Sequence, residues 1–181
     1  MGLIDIYCVA DHEFDKTMWM DSLLTPGDVG IVSVADMVAR VRVRCAGGDR
    51  IRELRVVGHG DGWGQWFGAD WVNEQKATHV FRPQFEQLRG LFGPGGFMTL
   101  GGCDVGEAGG LLRELWAIVG VPVQAFMAKQ YPVVPGDEGR RRRCSERCEV
   151  SGSQAWEHVD TVLDPLRERL FQAKQRVAGR F

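Results

Sequence analysis

A histidine and a cysteine in this chain each follow a short apolar run and each is flanked by glycine. His59 lies in the segment 54–60, LRVVGHG, and Cys103 ends the segment 97–103, FMTLGGC. A cysteine thiol has a pKa of about 8.5, so it needs a nearby base or a positive potential to act as a nucleophile at neutral pH. Either residue alone is more often structural, and it is the pair that predicts nucleophilic catalysis.

The apolar pattern predicts strands that alternate with helices and would position these two residues. We expect strands at residues 4–9, 54–57, 97–100 and 121–126, a small hairpin over 66–72, and helices over 33–45, 83–91 and 108–119. This alternation predicts an α/β fold, namely a three-layer α/β/α domain with a mainly parallel central sheet. Loops at the carboxyl ends of parallel strands gather at one edge, so His59 and Cys103 should meet there.

Two of these elements have uncertain limits in the sequence. Ser33 and Asp36 resemble a capping box that opens the first helix, whereas the alternating Arg-Val pattern of residues 40–44 also fits a strand. The cap and the length favour the helix. The segment 93–96, Gly-Pro-Gly-Gly, is expected to end the second helix.

The last third of the chain carries little periodicity before a final apolar pattern. Residues 132–153 include four consecutive arginines at 140–143 and are expected to form an exposed loop or a long hairpin. From residue 154 the spacing of apolar residues is helical, with a break expected near Pro165. The whole length of 181 residues suits a single domain over 1–181.

Composition excludes several classes of partner. The chain is 44% hydrophobic and 25% charged, with a net charge of -2 and an isoelectric point near 6.1. No global positive field therefore recruits nucleic acid or an anionic membrane. No apolar window reaches the roughly 18 residues of a membrane span, and the amino-terminal residues fit a first strand better than a signal leader. Oligomeric state does not follow from the sequence.

Five cysteines form an odd set with irregular spacing, at positions 8, 45, 103, 144 and 148. Such a set favours a reducing compartment, and we expect a cytoplasmic protein. Cys144 and Cys148, with His158 nearby, do not have the spacing of a tetrahedral zinc site, so no metal is expected.

The glycines beside the pair have an expected chemical use. An oxyanion that forms during acyl transfer must be met by backbone N–H groups at close range. We expect the N–H groups of Gly60 and Cys103 to be these donors. A helix that begins just after Cys103 would direct its positive end toward the sulfur.

This layout resembles the caspase-like cysteine peptidases, which include the caspases, metacaspases, separases, gingipains and bacterial CHAT domains. In that family an apolar strand ends in His-Gly, and the following parallel strand ends in the nucleophilic cysteine. The resemblance covers about residues 51–126, and the His59–Cys103 separation is close to the family's roughly 50 residues. The caspase signature Gln-Ala-Cys-x-Gly is absent, and the bacterial members are the more similar ones.

The resemblance implies a cysteine endopeptidase that acts on a protein or peptide through a thioester, without a metal or organic cofactor. His59 would protonate the leaving amine and then activate water. Members that cut after Arg or Lys carry acidic groups in the first pocket. Asp11, Asp61 and Asp104 are the acidic residues that would serve here, and Trp63 would line the substrate groove.

Two other interpretations stay open. An α/β-hydrolase-like thiol esterase would use Cys103 as nucleophile with His158 and Asp137 as partners, although its elbow needs glycine where Val105 stands. A caspase-like scaffold without activity would bind partner proteins through residues 132–153.

Overall fold

A computed structural model describes residues 2–10, 29–127, 141–144 and 148–151. All of them belong to a compact unit, Met1–Ser151. The predictions made for Asp11, for His158 and Asp137 and for the helix from residue 154 lie outside the described residues. The prediction of one domain over the full length therefore stays a prediction.

The described chain forms ten strands and four α-helices. The strands are β1 Leu3–Ala10, β2 Val29–Ile31, β3 Arg50–Val57, β4 Gly60–Asp61, β5 Gly64–Phe67, β6 Asp70–Asn73, β7 Phe92–Leu100, β8 Val123–Phe126, β9 Arg141–Cys144 and β10 Cys148–Ser151. The helices are α1 Val34–Cys45, α2 Glu74–His79, α3 Arg82–Glu86 and α4 Gly109–Val119. This is an α/β fold, as the sequence predicts.

The main sheet is largely parallel and has the strand order β10-β9-β8-β7-β3-β1-β2. Strands β8, β7, β3, β1 and β2 run parallel, while β9 and β10 are antiparallel additions at one edge. The chain passes from β1 to the edge strand β2 and then returns to β3 on the other side of β1. Such a reversal of strand order opens a crevice beyond the carboxyl ends of the strands, and β3 leads directly into His59.

The described helices lie on one face of this sheet. Helix α3 contacts α1, α2 and α4, and α2 also contacts α4, so the four form a continuous layer. Between this layer and the sheet lies the apolar core, whose strand side chains include Ile6, Leu54, Val56, Met98 and Leu100. The prediction of helices on both faces of the sheet stays a prediction.

Helix α1 resolves the ambiguity of residues 40–44. The Ser33 hydroxyl accepts a hydrogen bond from the Asp36 backbone N–H at 3.1 Å, as the predicted capping box requires. The buried positions of the helix are Val34, Met37, Val38, Val41 and Cys45, which is helical spacing. Val43 is 74% exposed because its position points away from the core.

Polar side chains cross the opposite face of the sheet in register. Tyr7, Arg55, Thr99 and Gln124 stand side by side on four adjacent strands. The Glu53 carboxylate accepts from Thr99 Oγ1 at 2.8 Å and pairs with Arg55 at 3.0 Å, while Gln124 Nε2 donates to Thr99 Oγ1 at 3.1 Å. Burial, with the nearby Glu53 charge, raises the pKa of Tyr7.

Several elements differ from the sequence predictions. Helix α3 ends at Glu86 rather than near residue 91, since the chain must turn back to begin β7. Helix α2 was not predicted, although Asn73 caps it by accepting from the Lys76 N–H at 2.9 Å. The segment 93–96 lies within the bounds of β7, where the pairing with β3 is interrupted, and does not directly follow a helix.

The helix after Cys103 begins later than expected. Asp104 has a left-handed backbone, with φ of 55°, so a right-handed helix cannot run on directly from Cys103. A single 3₁₀ turn, Val105–Glu107, comes next, and α4 starts only at Gly109. The first-turn amides of α4 therefore do not follow Cys103 directly, and that part of the prediction is wrong.

The hairpin option for residues 132–153 is confirmed where the chain is described. Strands β9 and β10 pair antiparallel, with Cys144 opposite Cys148. Cys144 is buried and disulfide-bonded, which the expectation of reduced cysteines did not anticipate. No helix among the described residues is long and apolar enough to cross a membrane. The cytoplasmic location stays a prediction.

Candidate functional site

The pairing of β3 with β7 places His59 and Cys103 at matching positions. Val56 is paired with Leu100, and the Gly101 N–H donates to the Val56 carbonyl oxygen at 2.8 Å. The same register, continued past the ends of both strands, sets residue 59 beside residue 103. Because β3 and β7 are adjacent and parallel, His59 and Cys103 lie at the same edge of the sheet.

The loops that carry the two residues pack directly against each other. A Cβ atom on Gly60 would overlap Val105 Cγ2 and lie 3.2 Å from the Cys103 carbonyl oxygen. A Cβ atom on Gly102 would lie 2.7 Å from Val105 Cγ2 and 3.1 Å from the Gly58 carbonyl oxygen. These glycines are needed for the close approach of the two backbones, a reason that the sequence analysis did not give.

The side chains of His59 and Cys103 are more accessible to solvent than those of Cys8 and Cys45. His59 is exposed and Cys103 is partly exposed, whereas Cys8 and Cys45 are buried. Burial raises the pKa of the Cys45 thiol and keeps it protonated at neutral pH. Among the thiols that the structure describes, Cys103 is thus the one open to a substrate.

A buried glutamine that the sequence analysis missed links the two loops. Gln65 is 0% exposed; its Nε2 donates to the Val56 carbonyl at 2.9 Å, and its Oε1 accepts from the Gly102 N–H at 2.8 Å. Its neighbour Trp66 donates its N–H to the His59 carbonyl at 2.8 Å. Strand β5 therefore supports both loops. The only sequence signal was an amide side chain in a strand whose neighbours are mostly apolar.

The Gly60 N–H, one of the two proposed oxyanion donors, is not used in the pairing of β4 with β5. His59 and Trp66 form a hydrogen-bonded pair of the small sheet, so the next pair, Gly60 with Gln65, is a non-hydrogen-bonded one. The Gly60 N–H consequently points away from β5. The use of this group and the Cys103 N–H as oxyanion donors stays a prediction.

The residues predicted to bind substrate have varied surroundings. Asp61 Oδ1 accepts from the backbone N–H groups of Trp63 at 2.8 Å and Gly64 at 3.2 Å, so this carboxylate shapes the turn between β4 and β5. Asp104 follows Cys103 in the left-handed conformation already described. Trp63 is 81% exposed at the tip of that turn. Asp11 lies outside the described residues.

A groove of about 590 Å³ is lined by residues that follow both His59 and Cys103 in the chain, although neither of these two residues lines it. Its walls come from the turn at residues 62–63, from α2, and from the chain between the 3₁₀ turn and α4. Three carboxylates line it, those of Glu74, Glu107 and Glu114, and no lysine or arginine is among its described lining residues. Trp63 lies at its rim. None of these glutamates was singled out from the sequence, because they are far apart in the chain.

No group of three or more potential metal ligands occurs among the described residues. The arrangement as a whole can support attack by a thiol on a carbonyl group, with an imidazole on the adjacent loop as proton acceptor. A comparison of the chain with protein-family models, with curated proteins and with solved structures finds no match in any of the three.

Proposed function

We propose that this protein is a cysteine endopeptidase of the caspase-like kind, with Cys103 as nucleophile and His59 as general base and acid. The observation that supports it most is the contact between the loops of these residues at matching positions on β3 and β7. The partial exposure of Cys103 adds to this, since a substrate carbonyl must reach the sulfur. The arrangement of strand, His-Gly, parallel strand and cysteine is the one that the sequence resemblance predicts.

The reaction needs only groups that the chain supplies. The Cys103 sulfur attacks the carbonyl carbon of the scissile bond while His59 holds the thiol proton. The N–H groups of Gly60 and Cys103 stabilise the oxyanion, and the amine leaves with the proton from His59. Water, deprotonated by His59, then attacks the thioester and releases the acid and the free thiol.

The groove supports a substrate with a basic side chain. Its three lining carboxylates favour a cationic side chain, and the exposed Trp63, which also lines the groove, offers a ring face for a cation. The groove begins within a few residues of both His59 and Cys103 along the chain. In this proposal the substrate carries arginine or lysine near the cleaved bond.

A peptide-library cleavage assay with wild type and Cys103→Ala tests the proposal. We expect wild-type cleavage, enriched for peptides with a basic residue near the bond, and none with Cys103→Ala. In parallel, iodoacetamide should label Cys103 faster in the native protein than in the urea-unfolded chain. Labelling of native Cys103 at or below the unfolded rate, with no cleavage, contradicts the proposal and favours a binding scaffold.

The thiol esterase alternative is separated by a pair of histidine variants. His59→Ala should lower turnover by about 10²- to 10⁴-fold and slow the labelling of Cys103, while His158→Ala should do neither. The reverse result would assign the base to His158 and overturn the caspase-like mechanism.

A further inference from the structure

We infer that Gln65 is a positioning residue that sets the distance and orientation of the His59 and Cys103 loops. The inference rests on the proposed function, because it concerns the geometry of the same site. Gln65 touches neither proposed reacting side chain in the bonds described. It acts through its hydrogen bonds to the backbone of Val56, before His59, and of Gly102, before Cys103.

The two hydrogen bonds of Gln65 define its orientation without ambiguity. The Val56 carbonyl can only accept and the Gly102 N–H can only donate, so the amide nitrogen must face β3 and the amide oxygen must face the loop before Cys103. A side chain with one donor and one acceptor at this length is required. Leucine, methionine or ionised glutamate lacks at least one of them.

The same two bonds constrain the reacting loops on both sides. Val56 lies just before the His59 loop and also accepts from the Gly101 N–H, so one carbonyl holds β3, β7 and Gln65 together. The Gly102 N–H belongs to the peptide unit immediately preceding the one that carries the Cys103 N–H. Fixing the first plane therefore limits the direction of the predicted oxyanion donor.

Burial makes this contact different from ordinary packing. Gln65 is wholly buried in a strand whose other inward residues include the apolar Phe67, and an apolar side chain would fill such a position without the desolvation of an amide. The loop before Cys103 packs closely against this side chain, since a Cβ on Gly102 would lie 2.8 Å from Gln65 Oε1. Rates of reactions between held groups fall on the order of 10²-fold when a group is misplaced by about 1 Å.

The test compares Gln65→Leu and Gln65→Glu with Gln124→Leu. Gln124, like Gln65, is a buried glutamine. It lies on β8 of the main sheet, and its amide donates a hydrogen bond to Thr99 within that sheet and not to a site loop. We expect Gln65→Leu to slow the labelling of Cys103 on the order of 10²-fold at pH 7 and below, whereas Gln124→Leu should leave the rate per folded molecule unchanged. Equal rates in the two leucine variants overturn the inference.

Gln65→Glu adds a readout that a purely structural residue would not move. A protonated carboxyl has the same donor and acceptor as an amide, and burial raises the pKa of a carboxyl. The ratio of the variant's labelling rate to that of wild type should therefore rise as the pH falls. Its stability follows the same sign: a raised folded-state pKa contributes stability in acid that is lost as the pH rises through that pKa. A ratio that does not change with pH contradicts the inference.

Wild-type measurements separate this inference from the proposed function. The Gly102 amide should exchange its hydrogen slowly in the native protein, because it donates to a buried acceptor. Rapid exchange overturns the positioning role even if no Gln65 variant folds. Native Cys103 that labels no faster than the unfolded chain, together with no peptide cleavage, overturns the proposed function instead, whatever the exchange rate of Gly102.

Discussion

The two ends of strand β7 are both rich in glycine, yet they are used in different ways. At the amino end, the segment 93–96 interrupts the pairing with β3, which passes from Ile51–Phe92 directly to Glu53–Phe97. Gly95 has φ of 72° and faces open space. At the carboxyl end, the pairing with β3 continues in register and Gly102 is packed between Gln65, Val105 and Gly58.

This difference shows that a glycine cluster does not by itself mark a functional loop. Gly96, at the amino end, is as tightly packed as Gly102, since its Cβ would lie 2.6 Å from the Ile51 carbonyl oxygen. What distinguishes the carboxyl end is the identity of the neighbours. There the contacts are to the loop of His59, to the buried amide of Gln65 and to the residues that follow Cys103.

The largest expected effect is that of His59→Ala at the carboxyl end. Removing a general base and acid should lower peptide cleavage by about 10²- to 10⁴-fold in kcat/KM, and the fold should remain. The exposed Pro94, in the amino-end segment, provides the control: Pro94→Ala should leave kcat/KM unchanged. Cleavage by His59→Ala within a few-fold of wild type would remove His59 from the mechanism.

A matched pair of glycine variants tests the comparison itself. Gly96→Ala and Gly102→Ala each force a backbone or buried side chain to move, so each should destabilise the protein by about 1–3 kcal/mol in urea unfolding. Only Gly102→Ala should also slow Cys103 labelling in the folded state, on the order of 10²-fold, because only it displaces the site. A similar loss of labelling in Gly96→Ala would mean that the two ends are not independent.

Thr99 lies in the row of polar side chains on the face of the sheet opposite the helices, and its substitution should have a smaller effect. Thr99→Val removes a donor to Glu53, which keeps its ion pair with Arg55, and the acceptor for the buried Gln124 amide. Unfolding in urea should report a loss of about 1–3 kcal/mol. Labelling of Cys103 per folded molecule should stay at the wild-type rate; slower labelling would show that the row also positions the carboxyl end.

The smallest expected effect concerns the ion pair of Asp5 with Arg52, which lies toward the amino ends of β1 and β3. The hydrogen bond and charge of Arg52 hold the pKa of Asp5 below its usual value, despite an opposing contribution from burial. A lowered folded-state pKa contributes stability above the unfolded-state pKa, near 4, and that stability is lost as the pH falls through the folded value. Thermal unfolding from pH 5 to pH 2 should show a weaker acid dependence in Asp5→Asn, with no change in Cys103 labelling at pH 7. An identical acid dependence in the variant would contradict this.

Most of the fold was predictable because its elements carry strong local signals. Apolar runs identified β1, β3, β7 and β8, and the Ser33 cap identified α1 even where residues 40–44 alternate like a strand. Helix α2 was missed because it is six residues long and begins in a polar segment. The delayed start of α4 depends on the backbone of Asp104, a conformation that no local pattern announces.

The residues of the candidate site also fall into those that a local pattern predicts and those that it does not. His59 and Cys103 were recognisable because each ends an apolar run, and parallel strands bring such ends together. Gln65 and the glutamates of the groove were not, since their surroundings come from segments far away in the chain. Asp61 was predicted, with Asp11 and Asp104, to bind a basic substrate residue; its Oδ1 accepts from the backbone of its own turn, and its use in binding stays a prediction.

The sequence alone determined the α/β class, the strands that lead to the two reactive residues, and their expected meeting at one edge. These follow from local periodicity and from the geometry that all parallel sheets share. Only the tertiary structure decided which strands are neighbours, how closely the two glycine loops pack, and which buried amide joins them. Contacts of that kind depend on the three-dimensional arrangement of distant segments, and a buried polar group reveals its role only when its partners are seen.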